Sequence, residues 1–363
     1  MNKFIIVGKC YKNQNTGPAN IIRGLKAGLE KKKINVEAIL LSETCPKKLF
    51  LKKLFKMFIC ERRAIINVHT DGFLICMIIY LFSLVDLKNK YYLTVHGCCA
   101  IECSIKCINK RFYCYLERVL YKHFPNIICV SEMLKGDIKK LYGREKNVYV
   151  IPNATEITEK NHTKAVFGGE PLRMVMLGGV KQVKGIWETL DLISYLSHNK
   201  KISLFLDIYG SEEDEQIHVK FKNKVADLEL EEIVRYHGNI TDKTEIYRIL
   251  CNTDFQLCLS RYDTFNVAVI ESLVIGCPCI CSERCGAKYL IENEENGLIV
   301  DINSKGFMEE SYMYLKSFID NPEKYLEIEK YSEKLRSQVS WDGVCEAYLK
   351  KTGFSKRIDY GSI

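Results

Sequence analysis

Two carboxylates lie eight positions apart in the second half of the chain, on either side of a predicted helix N-terminus. Asp263 follows an apolar segment over 255–259, and Glu271 lies inside a helix predicted over 265–275. The unpaired N–H groups of a helix start suit an anionic phosphate, and carboxylates accept hydrogen bonds from hydroxyl groups. Spacing alone favours a plainer explanation, namely an acidic first turn and a glutamate in a surface ion pair.

A lysine and three glycines follow other predicted strands. Lys184 and Gly179 come shortly after one such strand, and Gly210 and Gly238 each come directly after another. A lysine in this position offers a point charge to a phosphate, although it is also common in a turn that starts a helix. A glycine at a strand end lets a ligand or another backbone approach closely.

Two histidines end predicted strands in the first half of the chain. His69 follows the strand over 65–68, and His96 follows the strand over 91–95. A lone histidine in such a place is most often a satisfied loop residue, so each is a weak signal by itself. Gly17 belongs to a turn after the first predicted strand, where backbone N–H groups can face an anion.

The elements that position these residues alternate between strands and helices along the whole chain, which predicts α/β architecture with doubly wound parallel sheets. A polar stretch over 156–169 separates two such alternations. We therefore expect a Rossmann-like domain over 1–165 and a second over 166–344, with a C-terminal helix over 345–363 able to pack back on the first. Because such sheets bind ligands at the carboxyl ends of their strands, the interdomain cleft is the expected site.

Charge divides unevenly between these halves. The 363 residues carry a net charge of +8, which consists of +16 over residues 1–165 and −8 over the remainder. A basic half suits a phosphorylated ligand, an anionic membrane or nucleic acid, and a solvated lysine-rich surface is the alternative. We do not expect nucleic acid, because no recognition motif accompanies the charge.

The 17 cysteines do not show the paired spacing of a zinc site. The runs Cys99–Cys103–Cys107 and Cys277–Cys279–Cys281 fit one face of a helix and one face of a strand. The first residues predict a strand rather than a signal peptide, so we expect reduced thiols that act as small apolar residues, and no metal.

A basic amphipathic segment lies between positions 46 and 58. Lys48, Lys52 and Lys56 share one helical stripe, and Phe50 and Leu54 belong to another. This pattern is typical of a helix on an anionic membrane surface. It fits equally well a helix that packs its apolar stripe on the domain and leaves its lysines in water.

Taken in order, these residues resemble one family. The segment from Asp263 to Glu271 resembles the acid-x7-Glu signature of retaining glycosyltransferases of family four, which have the GT-B fold of two Rossmann-like domains. The segment from Gly179 to Lys184 is similar to that family's strand-end motif, and the resemblance extends over nearly the whole chain. Asp263 stands where the family usually has glutamate, and Gly179 where it has arginine.

The resemblance implies roles for the second-half residues. Asp263 would contact the hydroxyl groups of the donor sugar, and Glu271 would bind the ribose hydroxyls. Backbone N–H groups near Phe265 and Asn266 would hold sugar or phosphate. Lys184 would hold the donor diphosphate and stabilise it as the leaving group.

Further roles follow for strand-end residues. His96 would lie near the transferred sugar, and with Lys184 and Asp263 it forms the expected catalytic set. Gly17 would face the phosphates from the first domain. Gly179, Gly210 and Gly238 would flank the nucleotide, and His69 is a weaker candidate on the acceptor side.

The function that the resemblance implies is transfer of a hexose from a UDP- or GDP-linked donor, with retention through front-face attack. The acceptor would be a saccharide, lipid-linked by preference, in cell-surface polysaccharide or glycolipid synthesis. We expect a cytoplasmic enzyme at the inner face of the plasma membrane. With no Asp-x-Asp motif, fixed positive charge would replace a metal, and no cofactor is expected.

Two alternatives stay open at this point. The GT-B fold also serves sugar-nucleotide epimerases, which would show C2 inversion instead of transfer. A catalytically inactive partner subunit is the other alternative, because Gly179 and Asp263 depart from the family pattern. A nicotinamide oxidoreductase is disfavoured, since the first strand is not followed by the G-x-G-x-x-G spacing.

Overall fold

The computed structural model describes residues 3–11, 17–70, 72–155, 171–240 and 242–354. The chain forms two compact units. The first comprises Met1–Ala100, Asn109–Ala154 and Val339–Ile363, and the second comprises Ile101–Ile108 and Thr155–Gln338. The domain boundary that the sequence predicts after residue 165 lies outside the described residues.

The first unit is built on a parallel sheet whose six described strands have the order β2-β1-β3-β4-β5-β6. The strands are β1 (Lys3–Lys9), β2 (Val36–Leu41), β3 (Ala64–His69), β4 (Lys90–Val95), β5 (Asn126–Cys129) and β6 (Val148–Val150). The helices in this part of the chain are α1 (Gly17–Lys31), α2 (Lys47–Cys60), α3 (Phe73–Val85), α4 (Cys99–Ile105), α5 (Arg111–His123) and α6 (Glu132–Tyr142), and all but α4, most of which belongs to the second unit, lie in the first unit.

The second unit is built on another parallel sheet, whose six described strands have the order β12-β11-β10-β7-β8-β9. The strands are β7 (Leu172–Leu177), β8 (Leu204–Tyr209), β9 (Val234–Gly238), β10 (Phe255–Cys258), β11 (Cys279–Ser282) and β12 (Gly297–Val300). Its helices are α7 (Ile186–Ser194), α8 (Glu215–Asp227), α9 (Lys243–Cys251), α10 (Val267–Ile275), α11 (Phe307–Asp320) and α12 (Lys324–Gln338), and the chain ends its described part with α13 (Trp341–Thr352).

Each sheet forms because its strands are short apolar runs. Strand β3 is buried at every position, as expected for a strand covered on both faces in a parallel sheet. Strands β10 and β11 are likewise buried throughout. The prediction of two doubly wound parallel sheets is confirmed.

The last helix, α13, belongs to the first unit. Cys345 and Tyr348 lie in the same core cluster as Phe4. Trp341 packs directly on Gly24, where an added Cβ would lie 2.1 Å from the indole ring. The close packing of α13 on α1 therefore requires glycine at position 24. Helix α13 begins at Trp341, earlier than the predicted residue 345. Residues 355–363 of the predicted helix lie outside the described residues.

In each sheet, the order of strands reverses beside the first strand of the unit. Strand β1 lies between β2 and β3, and β7 lies between β8 and β10. Doubly wound sheets bind ligands at such switch points, at the carboxyl ends of the strands. The loops that follow β1 and β3, and those that follow β7 and β10, are therefore the expected ligand-binding loops.

Candidate functional site

The loops after β7 and β10 lie side by side because these strands are neighbours in the sheet. The Arg261 N–H donates to the Val183 carbonyl across 3.0 Å. Gly185 has a φ of +77° and lies so close to Leu259 that an added Cβ would be 1.7 Å from its carbonyl oxygen. Glycine is required there both for the backbone conformation and for the close approach.

Lys184 and Asp263 meet at this switch point. The Lys184 Nζ atom lies 2.5 Å from Asp263 Oδ2. Burial opposes the charge on Lys184, but the charge and hydrogen bond of the Asp263 carboxylate outweigh it, so the pKa of the lysine is raised. Lys184 is therefore charged at neutral pH, and the strand ends hold a cation and an anion in contact.

Backbone contacts fix the Asp263 loop. The Asp263 N–H donates to the Arg284 carbonyl at 3.0 Å, and its carbonyl accepts from the Gly286 N–H at 2.7 Å. The second carboxylate oxygen accepts from the Phe265 N–H at 3.3 Å. The Phe265 N–H, which the sequence suggested as a ligand donor, is thus engaged with Asp263 in this state.

Asn266 and Glu271 occupy helix α10. Asn266 is the N-cap residue, and its side-chain oxygen accepts from the Ala268 N–H at 3.0 Å. This cap satisfies one of the four N–H groups that a helix start leaves unpaired. Glu271 is buried in α10, whereas the plainer explanation based on spacing expects a glutamate on the surface.

A second cation stands beside Lys184. Burial first, and then the charges of Lys184 and Lys106, lower the pKa of Lys181. Two neighbouring lysines with mutual repulsion favour an anion, because a bound negative charge would relieve it. The N-terminus of α10 adds a partial positive charge behind Asp263.

The glycines at the strand ends serve close backbone packing. A Cβ on Gly179 would lie 2.1 Å from the Ser211 carbonyl oxygen, and one on Gly210 would lie 2.6 Å from the Gly179 nitrogen. Gly179 also has a φ of +70°. The arginine of the family pattern therefore has no room at position 179, and Lys181 is the neighbouring cation.

The N–H groups of these glycines are already used within the unit. Gly179 donates to the Tyr209 carbonyl at 2.9 Å, and Gly210 donates to the Gly238 carbonyl at 2.7 Å. Gly238 has a φ of +75° and no atom within 4 Å of an added Cβ. A nucleotide bound here would therefore make close van der Waals contact with Gly179 and Gly210 and would not accept hydrogen bonds from their N–H groups.

An aromatic pair that the sequence analysis missed lies at the ends of β8 and β9. The rings of Tyr209 and His237 stack with centroids 4.5 Å apart and planes 13° apart. His237 Nε2 lies 2.6 Å from Asp207 Oδ1, which fixes the orientation of the imidazole. The signal for this pair was weak, because only the pairing of β8 with β9 brings its members together.

In the first unit, His69 and His96 are in contact at the ends of β3 and β4. His69 Nδ1 lies 2.8 Å from His96 Nε2, and the ring planes are 16° apart. Burial lowers the pKa of His96 to about 3. Burial also lowers the pKa of His69, and the electrostatic effect of His96 lowers it further. Both rings are therefore neutral at pH 7, and one nitrogen of the contact donates while the other accepts.

A buried carboxyl group holds the turn after His96. Glu117 accepts hydrogen bonds from the Cys99 N–H, from the Ala100 N–H at 3.1 Å and from the Tyr142 hydroxyl. Burial raises the pKa of Glu117 in spite of these donors. No motif in the sequence indicates Glu117, and its position on the apolar face of α5 is the available signal.

A cavity of about 520 Å³ lies in the first unit, at the switch point between β1 and β3. Its wall includes Thr70, whose hydroxyl accepts from the His96 N–H at 3.0 Å, so it adjoins the histidine pair. Most of the lining is apolar, and Lys9 and Lys47 provide cations. Its other lining residues are Leu41, Phe50, Leu51, Gly72, Phe73, Leu74, Ile75, Ile78 and Tyr113.

Gly17 is the first residue of α1, and no atom lies within 4 Å of an added Cβ. Residues 12–16, which form the rest of the predicted anion-facing turn, lie outside the described residues. The role suggested for Gly17 stays a prediction.

Helix α2 has both a buried apolar face that packs on the domain and an exposed basic and apolar face, which the sequence left as alternatives. Phe50, Leu54 and Met57 are buried, so one apolar stripe packs on the domain. A second stripe, Leu51, Phe55 and Ile59, is exposed beside the lysines. None of the described helices is long and apolar enough to cross a bilayer.

Helix α3 extends this exposed apolar area. The Phe82 ring stacks on Phe58 at 4.4 Å and contacts Phe55 at 5.6 Å. Leu81 and Val85 of α3 are also exposed. We call the exposed residues of the two helices (Leu51, Phe55, Ile59, Leu81 and Val85) the α2–α3 surface.

Two family models match the chain. The model described as "Glycosyl transferases group 1" matches residues 157–335. The model described as "Glycosyltransferase Family 4" matches residues 35–159. Lys184, Asp263 and Glu271 fall within the first match, and His69 and His96 fall within the second.

Individual relatives are more distant. A mannosylfructose-phosphate synthase from Agrobacterium fabrum is 23% identical over 64% of this chain and 54% of its own length. An Escherichia coli UDP-Gal:alpha-D-GlcNAc-diphosphoundecaprenol alpha-1,3-galactosyltransferase is 25% identical over 58% of this chain and 56% of its own. The chain thus spans little more than half the length of these relatives.

Solved structures agree on the fold. An Anabaena protein crystallised with UDP and glucose superposes with a TM-score of 0.72, covering 97% of this chain and 100% of that one. At 14% identity, this likeness concerns the fold alone. The two Rossmann-like units of this chain are the GT-B fold that the sequence predicted.

Proposed function

This chain belongs to glycosyltransferase family 4, with the group 1 region in its second unit, and from this premise we propose that it transfers a hexose from a nucleoside-diphosphate sugar to a saccharide acceptor with retention of configuration. The observation that carries the proposal is the Lys184–Asp263 ion pair at the β7–β10 switch point. A cation suits a diphosphate there, and a carboxylate suits sugar hydroxyls.

The donor diphosphate would bind to Lys184 and Lys181, with the N-terminus of α10 behind them. As the bond from the anomeric carbon to the diphosphate breaks, negative charge grows on the leaving oxygen. Positive groups held in place before the reaction stabilise that charge without reorganisation. Asp263 would leave its contact with Lys184 in part and accept hydrogen bonds from the sugar hydroxyls.

Glu271 and the Tyr209–His237 pair would bind the nucleoside. The Glu271 carboxylate is buried within α10, and a ribose diol would give it two donors. The flat faces of Tyr209 and His237 at the ends of β8 and β9 suit a base. The base would be uracil or guanine.

The acceptor would bind to the first unit. His96 is neutral, so it would orient an acceptor or donor hydroxyl through a hydrogen bond rather than through charge. The adjoining apolar cavity, with cations at Lys9 and Lys47, suits the hydrocarbon and phosphates of a lipid-linked saccharide. This supports a role at the inner membrane face in polysaccharide or glycolipid assembly. One relative acts on a diphosphoundecaprenol-linked sugar, which is consistent with this class.

The direct test of the reaction is a panel of UDP- and GDP-linked hexoses. A donor that binds the native state raises the melting temperature by mass action, which identifies the base and sugar. Transfer from that donor to a polyprenyl-diphosphate-linked sugar would then be followed, and the anomeric configuration of the product determined by NMR. A product of inverted configuration, or C2 inversion of the donor without transfer, would overturn the proposal.

A cavity-filling variant tests the lipid part of the acceptor. Ile78 lines the cavity and is only partly buried, so Ile78→Trp fills space with little harm to the core. We expect it to raise KM for a long-chain lipid acceptor and to leave KM for a water-soluble acceptor unchanged. Val219→Trp, on an exposed site of α8, is the matched control. Equal effects on both acceptors would rule out hydrocarbon binding in this cavity.

A further inference from the structure

Three cysteine side chains converge inside the second unit, although the chain separates them. Cys258 ends β10, Cys281 lies in β11, and Cys285 follows β11. Their Sγ atoms all lie within 4.8 Å of one another, and all three residues are buried. The sheet causes this convergence, because Cys258 and Cys281 are register partners on adjacent parallel strands.

We propose that Cys258, Cys281 and Cys285 form a three-thiolate site for one soft metal ion, Cu(I) or Zn(II). Metal–thiolate bonds of about 2.3 Å place trigonally arranged sulfur atoms about 4.0 Å apart. The Cys258 and Cys285 sulfur atoms are 3.8 Å apart, so this pair already has that spacing. Soft thiolate ligands select these ions over Mg²⁺.

Neighbouring donors suit thiolates rather than thiols. The Asn266 Nδ2 group donates to Cys258 Sγ at 3.1 Å. Its orientation is fixed, because Asn266 Oδ1 caps α10 by accepting from Ala268. The Ser260 hydroxyl lies 3.7 Å from the same sulfur. Outer hydrogen bonds of this kind orient metal ligands and support their charge.

The charges around the site also favour a bound cation together with three thiolates. Three thiolates around Zn(II) leave one excess negative charge, and around Cu(I) they leave two. The Lys184 ammonium interacts electrostatically with Cys258 and Cys285 and offsets part of this excess. On binding, each of the three S–H groups loses its proton to solvent, and the ion keeps its oxidation state.

The proposed ion would join β10 to the segment that holds Asp263. Cys285 lies between Arg284 and Gly286, which both hydrogen-bond to the Asp263 backbone. The site therefore stabilises the loop of the proposed donor site without belonging to it. Its existence does not depend on the proposed reaction, and its test requires no activity.

The test measures metal uptake by the full-length protein under anaerobic, reducing conditions. The thiols that are not buried are first replaced by serine, at Cys10, Cys60, Cys99, Cys107 and Cys114. Zn(II) or Cu(I) is then titrated in competition with a chromophoric chelator. We expect one equivalent per chain, release of about three protons per ion and a raised melting temperature. Mg²⁺ added in the same way should not bind.

Cys281→Ala and Cys277→Ala provide the matched comparison in that background. Both residues are buried and close in sequence, but only Cys281 belongs to the proposed site. We expect Cys281→Ala to weaken binding at least about tenfold, since one ligand is lost. Cys277→Ala should bind one equivalent as the background does. No stoichiometric uptake, or equal uptake by both variants, overturns the proposal.

Discussion

Lys184 and Asp263 form an ion pair although 79 positions separate them in the chain. Lys184 follows β7, the first strand of its sheet, and Asp263 follows β10, which lies directly beside it. The pairing thus depends on the reversal of strand order at β7, where doubly wound sheets bind ligands. Removing either member leaves the other charge uncompensated in a partly buried place.

Lys184→Ala is expected to lower kcat by about two to three orders of magnitude, the usual effect of removing one preorganised electrostatic group. Affinity for the nucleoside without phosphates should change little, because Lys184 is assigned to the diphosphate. Steady-state kinetics and calorimetric nucleoside binding measure the two effects. Lys316→Ala, a surface lysine paired with Asp320, is the control. Lost nucleoside binding with kcat preserved at saturation would contradict the role.

Omission of Mg²⁺ is expected to leave transfer unchanged. Lys184, Lys181 and the α10 N-terminus already provide positive charge for the diphosphate, so Mg²⁺ has no necessary role there. Initial rates without added Mg²⁺ and in excess Mg²⁺ should agree within error. Complete loss of activity without Mg²⁺ that its addition restores would show that the fixed charges are insufficient.

Glu271→Ala is expected to raise the donor Kd by about one to two orders of magnitude, which corresponds to about 1.5–3 kcal/mol for a charge-assisted hydrogen bond. The 2′-deoxyribose form of the donor lacks one partner hydroxyl, so the substitution should affect its binding less. Titration calorimetry gives both constants, and a melting curve checks folding. If the variant loses equal affinity for both donors, Glu271 does not contact that hydroxyl.

The strands were predictable from the sequence, but the contacts between their ends were not. Apolar runs such as β3 and β10 are short and bounded by polar loops, which identifies strands directly. Which strand lies beside which is decided by long-range packing. The His69–His96 contact requires β3 beside β4, and the two histidines could only be proposed separately.

Other structural features could not be predicted, because local sequence patterns give their residues an ordinary role in a helix or a strand. Glu117 lies in a helix without any motif, and its function in holding the turn at Cys99 appears only in three dimensions. Cys258 is 23 positions from Cys281, so spacing rules for metal sites did not include it. The resemblance to a family supplied the roles of Lys184 and Glu271, which local patterns alone would not have separated from surface residues.

The free energy of unfolding is expected to fall as pH drops from about 6.5 towards 5. His96 has a folded pKa of about 3, and the pKa of His69 is also lowered, so the unfolded chain binds more protons in this range. Each such histidine contributes up to about 1.4 kcal/mol per pH unit. The raised pKa of Glu117 acts in the opposite direction.

Comparing wild type with His96→Asn isolates the histidine contribution. In the variant, the unfolding free energy should depend less steeply on pH, because unfolding takes up about one proton fewer than in wild type. Urea titration between pH 5 and 7 measures this dependence. His218→Asn, at a partly exposed histidine of the second unit, is the control. Identical slopes for wild type and His96→Asn would mean that His96 is not held neutral.

The first unit is expected to bind vesicles that contain anionic lipid. Lys48, Lys52 and Lys56 are exposed on α2 next to the α2–α3 surface, so cations and apolar side chains share one face. Each lysine near an anionic leaflet contributes about 1 kcal/mol, and apolar burial adds to it. Binding should weaken with salt, because surface charges are screened over about 8–10 Å.

Replacing Lys48, Lys52 and Lys56 with glutamate should abolish co-sedimentation with anionic vesicles and leave donor binding intact. Replacing Lys220, Lys222 and Lys330 with glutamate makes the same change in net charge on exposed sites of the second unit and should preserve binding. Phe55→Ser, which removes only apolar area, should weaken binding at every salt concentration. If the control triple variant loses binding equally, overall charge alone is responsible. If wild type fails to bind at low salt and uses a soluble acceptor equally well, α2 is a solvated helix and the acceptor is not membrane-bound.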